Sequence, residues 1–344
     1  MFACLILLSL LSLVSTNSWT EEERIAIFHE RGYTWPPTKL RPETPGWRSL
    51  FERRYQQVAA MDPSMDKYHA WLLTVGSSFV SHNFTETGWA MTRAPDSIVQ
   101  TLQNDLHQGM STSTEENKEM CRDMGLRFAE ETPPMYVPND KDNYHILQEL
   151  LWMHEAWSGL ELVPAVAYGL RYYQNQSELL LHVDNPNTHI ISSILHIDHS
   201  DDAKPWPLVL EDLEGNTNQI IMTSGDLVFY ESSKLFHGRP SKFHGSWYSS
   251  LFLHYYPKGW DTSGNNTNEY HYGIPPNWQD VKDLAEGIEP VQMFGMGMEE
   301  MTCPESWCQT ATSITYQGPA KEGFLMSSNG ERPLTRRSTI SEEL

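Results

Sequence analysis

Apolar residues recur at helical intervals in the first half of this chain and at strand-like intervals in much of the second. Arg48 to Ala60 and Asp96 to Leu106 place their apolar side chains three or four positions apart, as on one face of an α-helix. Asp96, following Ala94-Pro95, is expected to cap the second of these by accepting free backbone N–H groups. A further helix is expected from His145 to Trp157, after a loop-like stretch over 122–141 that is broken by Pro133-Pro134 and Pro138-Asn139. Beyond Leu162 the pattern turns to short apolar or alternating runs at 165–173, 179–183, 189–197, 208–211, 219–222, 226–230 and 247–256, separated by turn residues. Strands of that length and spacing predict a sandwich or barrel. After Trp260 the chain is rich in Gly, Asn, Pro and Met and weakly periodic; apart from a helix near 279–286 it reads as tail.

This pattern predicts an α+β protein with one sizeable core: a helical N-terminal region over 19–161, a strand-built domain over 162–260 and a loop-rich, irregular tail over 261–344. Residues 1–18 stand apart. The apolar run Cys4–Val14 followed by Ser15, Thr16, Asn17 and Ser18 has the form of a signal peptide, although no Lys or Arg precedes it. The run is shorter than the ~20 apolar residues a bilayer core demands, so no stable membrane anchor is expected. The expected location is the secretory pathway, in the ER lumen or outside the cell, a route on which Asn83, Asn175 and Asn265 have the acceptor pattern for glycosylation. Loss of Cys4 leaves Cys121, Cys303 and Cys308. Cys303 and Cys308 are spaced to close a small disulfide loop, with Cys121 free or paired to another chain; the alternative is three reduced thiols.

Charge removes one class of partner. Lys+Arg number 24 against 45 Asp+Glu, a net charge of -21, whereas nucleic acid binding needs a basic stripe that releases counterions.

The residues with chemistry lie among the predicted strands. In extended chain, positions i and i+2 point to one side, so His182-Val-Asp184 presents an imidazole and a carboxylate together. A third ligand has to come from a distant strand, and His237 follows the strand-like 226–230. Two His and one carboxylate leave three adjacent positions open on Fe(II), where an oxidant and a co-substrate bind side by side. The same spacing occurs at His196-Ile-Asp198. In a double-stranded β-helix the paired His residues sit on the second and seventh strands. Four predicted strands separate His182 from His237 but three follow His196, so the first pair fits and the second reads as a strand end entering the acidic loop 198–202. The bland alternative is a histidine-bearing barrel without metal.

Tyr173 to Asp184, then Ser224-Gly-Asp-Leu-Val-Phe-Tyr-Glu231 and His237-Gly-Arg-Pro240, together resemble the prolyl 4-hydroxylase type of 2-oxoglutarate/Fe(II) dioxygenase over about 162–260. The resemblance implies that His182, Asp184 and His237 are iron ligands and that Tyr173 hydrogen-bonds 2-oxoglutarate. It also implies O2 as oxidant, ascorbate as reductant, and a peptide or protein substrate hydroxylated at a C–H bond, with a peptidyl proline of an exported protein as the first candidate. One position departs from the pattern: where animal and plant prolyl hydroxylases carry a Lys for the far carboxylate of 2-oxoglutarate, ten residues past the distal His, this chain has Trp247. An unpaired buried carboxylate is costly. Arg239, two residues beyond His237, is the expected replacement because its fork matches a carboxylate, ahead of Lys242, His244 and His254. His189 is expected to be a core residue, and Pro205-Trp206-Pro207 either a rim of the substrate groove or a rigid lead-in to a strand. Two other classes remain open: a non-catalytic jelly-roll binding module, supported by the missing Lys, and an iron oxygenase that does not use 2-oxoglutarate.

Overall fold

The computed structural model describes residues 20–30, 32, 44–59, 67, 71–72, 75, 81–123, 126–129, 132–263, 273–278, 297–298 and 313–336. The signal-like segment, Asn265, the helix near 279–286, and Cys303 with Cys308 lie outside them.

The described residues include the α-helices α1 (Glu21–Glu30), α2 (Pro45–Ala59), α3 (Asp96–Gly109), α4 (Lys118–Asp123), α5 (Asp140–Glu149) and α6 (Leu151–Ser158). The strands before the barrel are β1 (Trp89–Arg93), β2 (Thr114–Glu115), β3 (Leu126–Arg127) and β4 (Met135–Tyr136). Eight follow in succession: β5 (Leu162–Gln174), β6 (Glu178–His182), β7 (Ile191–His199), β8 (Leu208–Glu211), β9 (Thr217–Ile221), β10 (Asp226–Tyr230), β11 (His237–Arg239) and β12 (Trp247–Pro257). The last described strands are β13 (Gly297–Met298), β14 (Ser313–Gln317), β15 (Phe324–Ser327) and β16 (Gly330–Pro333).

Strands β5 to β12 divide between two sheets, alternating except that β8 and β9 follow one another in the same sheet. One contains the order β10-β7-β12-β5, the other β6-β11-β8-β9. This is the double-stranded β-helix, or jelly roll, with β6 and β11 as its second and seventh strands.

Why these strands form follows from what each side buries. Along β12, Leu251, Leu253 and Tyr255 join the apolar layer beneath the helices, while Tyr248, Ser250, Phe252 and His254 alternate with them. On the helical side, Ile98, Val99, Leu102 and Leu106 of α3 recur with helical period and pack into that layer. The opposite faces of the two sheets enclose Ile194, Leu208, Leu210, Ile220, Met222 and Val228, against which Trp47 and Phe51 of α2 also pack. Among the described residues no helix is long and apolar enough to cross a membrane.

Several expectations change. The N-terminal region also contributes a strand, since β1 pairs with β10 in the larger sheet. Trp89 and Met91 face the inter-sheet core and Ala90 faces the helices, so both sides of β1 are apolar and alternation is lost. Part of the predicted tail is ordered as strands: β15 pairs with β1, and β14 runs parallel to β9. Asp96 is the first residue of α3 rather than its cap; its carboxylate lies 3.7 Å from Arg93 Nε. The helix expected over 145–157 is interrupted at Leu150, where α5 ends and α6 begins. Cys121 is fully buried with a free thiol 3.4 Å from Glu116 Oε2, which leaves no surface for a bond to another chain.

Candidate metal centre

His182 ends β6 and His237 begins β11, and the two residues are direct partners in the antiparallel ladder. Their ring centroids stand 4.3 Å apart. Asp184 follows two residues after β6, tied to the next loop by its backbone N–H donating to the Ser232 carbonyl at 2.8 Å. Asp184 Oδ1 faces both rings, 3.6 Å from His182 Nε2 and 3.7 Å from His237 Nε2. The three side chains are buried, and they are the set of His, Cys, Asp or Glu residues among those described that could converge on one ion.

The tautomers follow from the backbone. His182 Nδ1 lies 2.8 Å from the Leu180 carbonyl, and His237 Nδ1 lies 2.8 Å from the Leu235 carbonyl. A carbonyl only accepts, so each Nδ1 carries the proton and each Nε2 turns its lone pair toward Asp184. Burial pushes both imidazoles down to about 4. Burial pushes the Asp184 carboxyl up, partly opposed by His182. Asp184 Oδ2 is buried and has no hydrogen-bond partner among the described residues. Two neutral imidazoles with convergent lone pairs and a buried carboxylate oxygen, Asp184 Oδ1, facing both suit a divalent cation, and two His with one carboxylate suit Fe(II) in particular.

His196-Ile-Asp198 does not form a second such pair. A bulge in the β7–β12 register between Ser249 and Ser250 separates the two side chains. His196 is buried, with Nδ1 on the Ser249 carbonyl and its ring stacked on Tyr248 at 4.0 Å. Asp198 meets His107 of α3 at 3.0 Å instead.

Arg239 and Tyr173 both pack on Trp206 in the floor of the barrel. The Arg239 guanidinium lies 4.7 Å from the rings of both Trp206 and Tyr248, donating to the Trp206 carbonyl and, at 3.2 Å, to the Tyr248 hydroxyl. It is 2 % exposed and no carboxylate pairs with it among the described residues. Tyr173 is 1 % exposed, edge-on to Trp206 at 5.0 Å. Burial raises its phenol, against the pull of the Arg171 and Arg239 charges.

Trp247 points away, edge-on to His107, and the side chain that does enter the floor is its neighbour Tyr248. Trp206 is no rim residue: it is 2 % exposed, packed on Tyr173, Arg239 and Phe243, with its indole N–H on the Ser241 carbonyl. Lys242 and His244 are exposed. His189 lies outside β7 and is only partly buried, stacked on His254 at 4.0 Å rather than sealed in the core.

The sequence reading missed two relationships. His254 faces Asp184, with Nδ1 3.8 Å from Oδ2. Arg171 is held bidentately by Glu116, with both hydrogen bonds at 2.7 Å. A His and two Ser on the otherwise apolar β12 marked the first; nothing local marked the second, because Glu116 comes from outside the barrel.

Fold and site together define a double-stranded β-helix with two His and one Asp gathered between its sheets. No family profile matches the chain, and no curated protein matches it in sequence. Among solved structures, it is similar to a prolyl-4-hydroxylase from Pseudomonas putida, with 15% identity, TM-score 0.36, and coverage of 54% of this chain and 98% of that one. A prolyl hydroxylase from Trichoplax adhaerens, in complex with a hypoxia inducible factor peptide fragment, shows 12% identity, TM-score 0.38, and 58% and 96% coverage. HygX from Streptomyces hygroscopicus, with nickel, 2-oxoglutarate and hygromycin B bound, shows 12% identity, TM-score 0.39, and 51% and 85% coverage.

Proposed function

We propose that this protein is an Fe(II)/2-oxoglutarate-dependent dioxygenase that hydroxylates a substrate C–H bond, with a peptidyl proline of a secretory-pathway protein as the substrate. The observation that carries the reading is the convergence of two proton-free Nε2 atoms and Asp184 Oδ1 inside the barrel. Iron bound there, with 2-oxoglutarate and O2, supplies coupled oxidation, in which 2-oxoglutarate loses CO2 to become succinate and one oxygen atom enters the substrate C–H bond.

The chain's own residues bind and orient. His182, Asp184 and His237 would hold the ion from one side, which for a six-coordinate Fe(II) would leave three positions for co-substrate and O2. Arg239 lies two residues beyond His237, roughly 7 Å along extended chain, a span suited to a five-carbon diacid reaching from the ion to the floor. Its guanidinium carries an uncompensated charge in a water-excluded aromatic setting, where a carboxylate gains a bidentate partner. Tyr173 and Tyr248 frame that contact. Proline as the substrate rests on the likeness of 162–260 to prolyl 4-hydroxylases, and the secretory location on the form of residues 1–18.

Purified protein supplied with Fe(II), ascorbate and 2-oxoglutarate should form succinate slowly without substrate, and His182→Ala should abolish this. Iron binding without succinate would point to an oxygenase using another co-substrate, and no iron binding to a binding module. Oxidation of a peptide library, read by mass spectrometry, should then add 16 Da at proline, roughly one oxygen atom per turnover.

A further inference from the structure

The oxygen of Asp184 that faces away from the two imidazoles meets a second group of polar side chains. His254, on β12, is the register partner of Ser192 on β7, and its Nδ1 lies 2.7 Å from Ser192 Oγ. Ser192 Oγ lies 2.6 Å from Ser232 Oγ, and Ser232 Oγ donates to the His189 carbonyl at 2.8 Å. The same His254 Nδ1 stands 3.8 Å from Asp184 Oδ2, beyond hydrogen-bond length.

The last member of this chain fixes the direction of its protons. A carbonyl can only accept, so the Ser232 hydroxyl proton belongs to His189; Ser192 then donates to Ser232, and His254 Nδ1 must carry a proton for Ser192. The N–H of His254 is thereby held in place beside Asp184 Oδ2, and the His189 ring, stacked on His254, closes the other side.

We propose that His254, oriented by Ser192 and Ser232, is a positioning residue that holds Asp184 to ligation through Oδ1 alone by placing beside Oδ2 the positive ring edge whose Nδ1–H is donated to Ser192. This deepens the metal reading above and rests on it. A carboxylate ligating through both oxygens would reduce the open positions from three to two, one short of what a chelating co-substrate and O2 need together.

Co(II), whose visible absorption reports coordination number, is the probe, titrated into wild type, His254→Asn, His254→Gln and Ser192→Ala. The Asn amide N–H replaces Nδ1–H, whereas the Gln amide reaches the Nε2 position. His254→Asn should keep the wild-type spectrum and an affinity within about threefold, while His254→Gln and Ser192→Ala should lose about tenfold and change spectrum, the scale typical of groups that orient a metal ligand. Melting temperatures of the metal-free proteins separate this from unfolding, and Ser192→Ala, a small change, decides if a His254 variant does not fold. Four equal affinities and spectra, or Gln substituting where Asn fails, would overturn the proposal. Wild type that binds no Co(II) would sink the metal reading itself, and this inference with it.

Discussion

His182 and His237 face each other across one rung of the β6–β11 ladder, so the register of two short strands sets the distance between the two candidate metal ligands. The strands can approach as they do because the next residue is Gly238: a Cβ there would stand 2.6 Å from the Leu180 carbonyl oxygen. Strand register and metal geometry are therefore one variable.

Gly238→Ala should separate β11 from β6 and move both His237 and Arg239. Urea unfolding should show a loss of about 1–3 kcal/mol, the usual scale for overpacking a close-packed interior. Co(II) titration should show an affinity lower by about tenfold or more.

Arg239→Ala should raise the 2-oxoglutarate dissociation constant by about 30-fold or more, as expected for removing one partner of a buried charge pair worth about 2–5 kcal/mol. Arg239→Lys should recover only part of this, because an ammonium lacks the fork that grips a carboxylate. Fe(II) affinity without 2-oxoglutarate should stay near wild type in both, by calorimetry.

Glu116→Gln should leave Arg171 buried without its counter-charge and cost about 3–5 kcal/mol in denaturant unfolding. Adding Arg171→Met should restore part of that loss, since the uncompensated cation is then gone. A double variant less stable than Glu116→Gln alone would refute this account.

Acid sensitivity should come partly from His154. Burial pushes this imidazole down to about 3, with Nδ1–H donating to the Leu150 carbonyl and Nε2 accepting from Ser193. The unfolded chain takes up the proton at the ordinary histidine value near 6.5 while the fold resists it, so stability should fall as pH drops from about 6.5 toward 3. His154→Phe should be less stable at pH 8 yet show a flatter loss on acidification, followed by urea midpoints across that range.

How much was legible depended on where each partner lay. The runs at 179–183, 208–211 and 226–230 met β6, β8 and β10 almost residue for residue, because inter-sheet packing writes itself into local apolar pattern. The span from His182 to His237 could be counted in strands for the same reason. β1 was hidden because it buries both faces, and β11 because three residues, His-Gly-Arg, carry no strand signal of their own. Trp247, the residue ten positions past His237, faces outward against His107, and alternation puts its neighbour Tyr248 on the inner face. The Asp184–His254 and Arg171–Glu116 contacts depend on strand pairing and on a segment from outside the barrel, which no local window contains.

The pairing of β1 with β10 also says how this protein can be cut. A fragment spanning only 162–260 would strip Asp226–Tyr230 of its neighbour along one whole side, leaving five residues that are all buried in the intact fold at a naked margin. Such a margin recruits other chains, so the excised piece should self-associate. The smallest version that stays monodisperse must carry the stretch around 89–93 along with the eight barrel strands.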